Sequence, residues 1–417
     1  MNSAGEKTIL NFYDLGIDPG LLEILTRIRY TTPTPIQQKS IPIAIQGKDI
    51  VGIAQTGTGK TLAFGVPMIQ RLESSEGIGL VLLPTRELAL QTEAEFRKIG
   101  YSIGLRTAVL IGGTPIRPQI EAIRRKPHII IATPGRLNDH LNQRTVNLGK
   151  VNILVLDEAD RMLDMGFLPQ INKILQSIPK KRQTMLFSAT ISSQIMKIAS
   201  AAMKLPIRVE IAPTGTTAEN ISQEIFIVNK EAKLRLLEKI LAQYTGSVLL
   251  FSRTKYGAKR IAQAVRAMGH PAAEIHSNRS LSQRREALEG FRKGKYRVLA
   301  ATDIMARGID VTGIELVLNY DLPEQAEDYV HRIGRTARAG REGHAISFAV
   351  PNQQREIWEI ERYIRKKLPV SPLPQLSSER AMTQPRSFAA SSRPNYGPRV
   401  RPRFRANRQS RQRRYWK

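Results

Sequence analysis

Ile50-Val51-Gly52-Ile53-Ala54-Gln55-Thr56-Gly57-Thr58-Gly59-Lys60-Thr61 is the stretch from which the rest of the chain is read. A short apolar run, a glycine-rich turn and a potentially helical segment from Leu62 to Leu72 follow one another. That order is the context of a phosphate-binding loop. Glycines Gly57 and Gly59, with Thr56 and Thr58 between them, let backbone N–H groups converge on phosphate oxygens. Lys60 then reaches the β- and γ-phosphates, and the Thr61 hydroxyl is a ligand for Mg²⁺. The general pattern asks for glycine at position 54, where this chain has alanine. The plainer reading is a glycine turn beside a lysine. The loop alone does not say what ATP hydrolysis would drive.

Composition narrows the partners. At 417 residues the length suits two or three domains, and 41% apolar residues can fill sizeable cores. No apolar run approaches the length of a membrane span, and Met1 to Lys7 lack the basic-then-apolar build of a signal peptide. With no cysteine, disulfides, thiolate zinc sites and a cysteine nucleophile are excluded. A net charge of +28, from 64 Lys+Arg against 36 Asp+Glu, favours a polyanionic partner over a merely soluble basic protein.

Upstream, Leu21 to Ile28 has the pattern of a short amphipathic helix. Tyr30-Thr31-Thr32-Pro33-Thr34-Pro35-Ile36-Gln37 follows, and its prolines restrict the backbone and suit a helix start near Pro35. The Gln37 amide can accept from adenine N6 and donate to N7.

Downstream, Leu80–Leu83, Thr107–Ile111, Ile129–Ile131, Ile153–Leu156 and Thr184–Phe187 read as buried strands. Helical segments such as Glu87–Ile99 and Pro118–Ile123 lie between them. Continuous apolar strands alternating with helices predict a parallel sheet covered on both faces, with ligands beyond the C-terminal strand ends.

Motifs fall at those ends. Pro84-Thr85-Arg86-Glu87, Gly112-Gly113 and Thr133-Pro134-Gly135-Arg136 suit phosphate donation, although each alone is also ordinary turn chemistry. Asp157-Glu158-Ala159-Asp160 follows an apolar strand directly. Asp157 is placed to hold Mg²⁺ and Glu158 to orient or deprotonate water. Ser188-Ala189-Thr190 supplies two hydroxyls for that acidic cluster.

Near Ala212-Pro213-Thr214-Gly215-Thr216-Thr217 the pattern breaks as a linker does. A second alternation follows, with strands at Ile225–Val228, Ser247–Phe251, Ala273–Ile275, Val298–Ala301, Leu316–Leu318 and Ala345–Ala349. Helices are expected over Lys233–Leu241 and Lys255–Met268. This half has no phosphate loop of its own. His331-Arg332-Ile333-Gly334-Arg335-Thr336-Ala337-Arg338 places two arginines three apart, which on a helix share a face and would act as arginine fingers. Thr302 to Asp310 forms a second polar loop, in which Asp310 suits a ribose hydroxyl.

With these motifs in this order, the sequence from Phe12 to about Leu368 resembles the DEAD-box RNA helicases, as a bacterial-type member. The resemblance implies an α/β fold of two tandem RecA-like domains, ATP in the cleft and single-stranded RNA across both tops. It implies Phe12 and Gln37 as adenine contacts, Lys60 and Thr61 at phosphate and Mg²⁺, Asp157 on Mg²⁺ through water and Glu158 as base. Asp310, Arg335 and Arg338 complete the site from the second domain, while Asp160, Ser188, Thr190 and His331 couple the domains. Pro84, Thr85, Arg86, Gly112, Gly113, Thr133, Arg136, Arg284 and Thr302 would contact RNA. Alanine at position 54 is usual in this family.

The chain also departs from the family pattern. Arg29-Tyr30 replaces a common Gly-Phe pair, and Leu281 stands where glutamine is usual, with Gln283 two residues on. Met305 and Ala337 replace small residues.

The expected organisation is an N-terminal segment over 1–30, a first domain over 31–211, a linker at 212–219 and a second domain over 220–370. From residue 371 to 417, twelve basic residues and one acid interleave with Phe388, Tyr396, Phe404, Tyr415 and Trp416. That composition reads as a disordered RNA-tethering tail. The activity so implied is ATP-dependent separation of short RNA duplexes, in the cytoplasm, with ribosomal precursors or RNA-degradation machinery as partners and no membrane. A DNA translocase on the same fold, and an RNA clamp or annealing chaperone working through the tail, are the rival readings.

Overall fold

The computed structural model describes residues 11–54, 57–211, 221–303, 311, 313–337 and 342–376. The linker at 212–219, Thr56, Met305, Asp310, Arg338 and the tail from 377 lie outside the described residues.

Two parallel sheets carry the fold. The first joins β1 (Ile50–Ile53), β2 (Ile78–Leu82), β3 (Thr107–Leu110), β4 (Ile129–Ala132), β5 (Val151–Leu156), β6 (Gln183–Ser188) and β7 (Ile207–Glu210) in the order β3-β4-β2-β5-β6-β1-β7. The second joins β8 (Ile221–Ile227), β9 (Val248–Phe251), β10 (Ala272–Ile275), β11 (Val298–Ala301), β12 (Leu316–Asn319) and β13 (Gly343–Ala349) as β10-β11-β9-β12-β13-β8. The architecture is α/β, two tandem RecA-like domains. β1 lies between β6 and β7, with Ile53 opposite Ser188 and Glu210.

Burial on both faces explains why the strands read as unbroken apolar runs. Side chains alternate across a strand, so Val81, Ile131, Val155 and Phe187 fill one cluster while Leu80, Leu82, Ile130, Leu154 and Leu186 fill its opposite. The second sheet divides likewise, Leu250 and Leu318 on one face and Leu249 and Val317 on the other. The strand with no counterpart in the sequence reading is β7. It is a sheet edge, only Val209 of its four residues is buried, and no apolar run marks it.

The helix predicted from Pro35 runs from Pro35 to Ile45 and holds its first proline where no N–H is needed. One element differs from expectation in a way that bears on function. The helix Ala326–Ile333 ends before Arg335, so a shared helical face does not present that arginine. Gly334 and Arg335 form a turn, and Ala337 has φ 54°, a left-handed conformation that stops a helix.

Candidate active site and nucleic-acid interface

Strand β1 delivers the chain to the phosphate loop, and the helix Lys60–Glu73 leaves it. Gly59 caps that helix with φ 90°, open to glycine at no steric cost, and a Cβ there would run into the Gln37 amide. Gln37 is 2% exposed and both ends of its amide are engaged. Its Nε2 donates to the Gly59 carbonyl at 3.0 Å, and its Oε1 accepts from the Thr34 N–H at 2.9 Å. The residue expected to read adenine is thus fastened to the loop that would hold the phosphates. Phe12, the other expected adenine contact, is 3% exposed within the first sheet's apolar cluster.

Lys60 enters the helix buried and reaches the acidic cluster after β5. Its Nζ donates to Glu158 Oε1 at 2.9 Å and lies 4.0 Å from Asp157 Oδ1. Burial alone would lower its pKa, but Glu158, then Asp157 and Asp160, outweigh that and hold it above the ordinary lysine value. Burial pushes the Asp157 carboxyl up to about 7; Lys60 opposes the rise and the Glu158 charge adds to it. Glu158 sits at φ 54° and ψ 49°, left-handed for a residue with a Cβ. Strain of that kind, of order 1–3 kcal/mol, persists where surroundings enforce it.

Asp160 ties the acidic turn to the end of β6. Its Oδ2 accepts from the Ala189 and Thr190 N–H groups at 2.9 and 3.0 Å, and its own N–H donates to Ser188 Oγ at 3.3 Å.

A small cavity is lined by Glu158, Asp160 and Thr190 of the first half and by Glu327, His331 and Arg335 of the second. Arg335 is 3% exposed there, and its Nε donates to the His331 carbonyl at 3.2 Å. Next to it, Arg332 is fully enclosed. It binds both oxygens of Asp303 at 2.5 and 2.7 Å, Asn319 Oδ1 at 3.1 Å and the Asp321 carbonyl at 2.6 Å, with the Phe251 ring 5.0 Å away.

On the other side of the strand ends, three guanidinium groups gather. Burial, then the charges of Arg284 and Arg136, draw Arg86 below the usual arginine range. A Cβ on Gly113 would collide with Arg86, and Arg136 donates to the Thr114 carbonyl at 3.0 Å. Thr85 and Thr133 are buried N-caps of the two helices that start here, and Pro84 is buried beside Thr85. Thr302 follows β11, its N–H directed at the Ile275 carbonyl at 3.4 Å.

The chain matches the family model for the DEAD/DEAH box helicase domain over residues 34–198 and that for the helicase conserved C-terminal domain over 232–340. It is 46% identical to the ATP-dependent rRNA helicase rrp3 of Sclerotinia sclerotiorum, covering 87% of this chain and 76% of that one. It is 41% identical to the ATP-dependent rRNA helicase RRP3 of Debaryomyces hansenii, over 90% and 79%. The chain is a DEAD-box RNA helicase. Among solved structures, this helicase resembles S. cerevisiae Dbp5 bound to RNA and ADP BeF3 at TM-score 0.78 and 29% identity, with 87% and 95% of the two chains covered. It also resembles Mss116p bound to ssRNA and AMP-PNP at 0.80 and 28%, over 88% and 80%. Both rRNA helicases named here are fungal and give the expected bacterial type no support.

An ATP-dependent RNA helicase must connect its halves, and here sequence reasoning missed two residues. Glu87 accepts an ion pair from Arg284 NH1 at 2.9 Å, with the two side chains 12% and 7% exposed. In the sequence Glu87 looks like an acid in a helix's first turn, and only its place beside Arg86 hinted at more. Leu281, at the unusual position, packs against the first sheet's apolar cluster, to which Leu83, Leu88 and Ala89 belong. Gln283 is a capping residue: its N–H donates to Ser280 Oγ at 3.2 Å and its Oε1 accepts from the Ser280 N–H at 3.1 Å. Among the described residues, no helix is long and apolar enough to cross a membrane.

Proposed function

We propose that ATP is hydrolysed where Lys60, Asp157 and Glu158 meet, and that the second half completes the site through Arg335 and, outside the described residues, Arg338 and Asp310. The observation that carries this reading is one cavity lined by Glu158 from one half and Arg335 from the other. Lys60 and the glycine loop would hold the phosphates, Gln37 and Phe12 the adenine, and Glu158 would take the proton of the attacking water. Two buried carboxylates share Lys60 as their cation, and burial and the Glu158 charge push the Asp157 carboxyl up, so the site is short of positive charge and fits a divalent ion. Among the described residues no three carboxylate or imidazole ligands converge, as suits Mg²⁺ held by Thr61, Asp157, water and phosphate. Bound there, Mg²⁺ would neutralise charge on the transferred phosphoryl group.

RNA is assigned to the opposite side of the same strand ends, on Pro84, Thr85, Arg86, Gly112, Gly113, Thr133, Arg136, Arg284 and Thr302. A phosphate among Arg86, Arg136 and Arg284 would relieve their mutual repulsion. RNA spanning both halves binds the closed arrangement better and so favours it. His331, Asp160, Ser188 and Thr190 transmit closure to the ATP site. The domains are taken as 31–211 and 220–370, with 212–219 as linker and the basic tail as tether.

Ribosomal precursors are the proposed substrates, supported by two relatives named as rRNA helicases. The cytoplasmic location expected from the sequence applies to a cell without a nucleus; in a nucleated host, rRNA processing would put the enzyme in the nucleus. The deciding experiment compares ATP turnover and strand separation on matched RNA and DNA duplexes, for the full chain and for a chain ending at Leu376. RNA should stimulate turnover in both, and DNA in neither. Turnover indifferent to RNA would overturn the reading, and stimulation by both nucleic acids would make the enzyme a general translocase.

A further inference from the structure

Beyond the contacts assigned so far, the C-terminal edge of the second sheet carries a groove of about 620 Å³. It is lined by residues that follow four adjacent strands: Lys230 after β8, Arg253 after β9, Asp321 after β12 and Gln353 after β13. Its cations are Lys230, Lys233, Arg253 and Arg260; its acids are Asp321 and Glu356.

One acid is already neutralised. Lys233 is buried against the Tyr320 carbonyl at 2.6 Å and Asp321 at 3.2 Å, and Asp321 also accepts from the Arg253 N–H at 3.1 Å. Lys230, Arg253 and Arg260 keep exposed side chains. At the rim stands Tyr256, 70% exposed, with the Lys255 ammonium 5.3 Å from its ring centre. Tyr256 lies in the first turn of the helix Lys255–Ala267, and Arg260 is one turn further on.

Position gives this chemistry its meaning. Across the sheet, Arg284 lies in the helix Leu281–Arg292 that follows β10, Thr302 follows β11, and β9 is the next strand over. The groove therefore continues along the strand-end edge on which RNA is proposed to lie, past β9. A ring offered to solvent among cations suits a nucleic-acid base, and the exposed arginines suit the phosphates beside it.

We propose that this groove is a second RNA subsite, taking the single strand beyond the Arg284 and Thr302 contacts, with a base stacked on Tyr256 and a phosphate at Arg260. The proposal rests on the RNA path given above. Its consequence is that this helicase holds one flank of its substrate through the second half alone.

The test measures binding of single-stranded RNAs to the full chain with a non-hydrolysable ATP analogue. One RNA is about six nucleotides long, and two others are extended by about six at the 5′ or the 3′ end, within the usual range of single-strand sites. For the wild type, extension at one end should tighten binding. Tyr256→Ala should remove about five- to hundredfold of that gain. Arg260→Ala should lower the salt slope for the extended RNA by about 0.7. Neither should change affinity for the short RNA or the turnover it stimulates. A parallel loss on short and extended RNA, or no loss on either, overturns the subsite; the second result would leave the groove to a protein partner. Failure of the short RNA to stimulate the wild type would instead overturn the core RNA path.

Discussion

Glu158→Gln separates binding from chemistry at this site, because the residue holds Lys60 when no nucleotide does. The pair is 2.9 Å long, with both side chains at most 7% exposed. Breaking a buried ion pair from one side costs about 3–5 kcal/mol. In the variant part of that cost falls on the nucleotide-free enzyme, where Lys60 keeps an uncharged amide acceptor at position 158 and the Asp157 carboxylate at 4.0 Å. When ATP is bound, phosphate oxygens satisfy Lys60 in both proteins. ATP should therefore bind the variant as tightly as the wild type or more so. Turnover should fall by about 10²–10⁴-fold, the contribution of a positioned general base, or roughly 3–5 kcal/mol on the barrier. Fluorescent-nucleotide titration gives the affinity, and phosphate release at saturating RNA gives the rate. Turnover within about threefold of wild type would remove Glu158 from the chemistry. Binding weakened by more than about tenfold would show that the pair does not compete with ATP.

Two further substitutions probe other parts of the molecule. Leu281→Gln exchanges a half-buried apolar contact between the halves for a polar one; losing about 1 kcal/mol there should raise the RNA concentration for half-maximal turnover about fivefold, and an unchanged value would dismiss Leu281 as a closure contact. Glu274, 3% exposed at its side chain, pairs with Arg266 and Arg279; burial would raise its carboxyl, but the two arginines outweigh this and hold it below the ordinary range. A lowered carboxyl stabilises the fold above its unfolded pKa and loses that effect as pH falls through the folded value. Glu274→Gln should thus cost about 1–3 kcal/mol at pH 7, discounted because both arginines are a third or more exposed, and almost nothing well below pH 4.5. Urea unfolding at the two pH values checks this, and a cost independent of pH would contradict it.

Much of the architecture was legible because doubly buried strands leave runs such as Leu80–Leu83 and Ile129–Ile131 that need no context. β7 was not, since a half-exposed edge carries no such run. Motif order located the phosphate loop and the acidic turn, yet spacing is silent on direction. It read Gln37 as an amide presented to adenine and did not show that the same amide bonds Thr34 and Gly59. It put Arg335 on a helix that stops two residues short of it. Glu87 and Arg284 lie nearly two hundred positions apart, and no local pattern pairs them.

Arg332 lies in the last turn of one helix and grips Asp303, the residue after Thr302, with two hydrogen bonds. It is also three residues before Arg335. One guanidinium therefore splices the loop proposed to touch RNA to the turn that faces Glu158. Such a splice leaves little play between the two surfaces, so they answer to a single displacement. The link sets how large the coupling is; its reciprocity, RNA tightening nucleotide as much as nucleotide tightens RNA, holds for any pair of linked ligands. Loosening the splice, as Arg332→Lys would by replacing the bidentate grip on Asp303 with a single ammonium contact, should weaken the trade between the two ligands more than the binding of either.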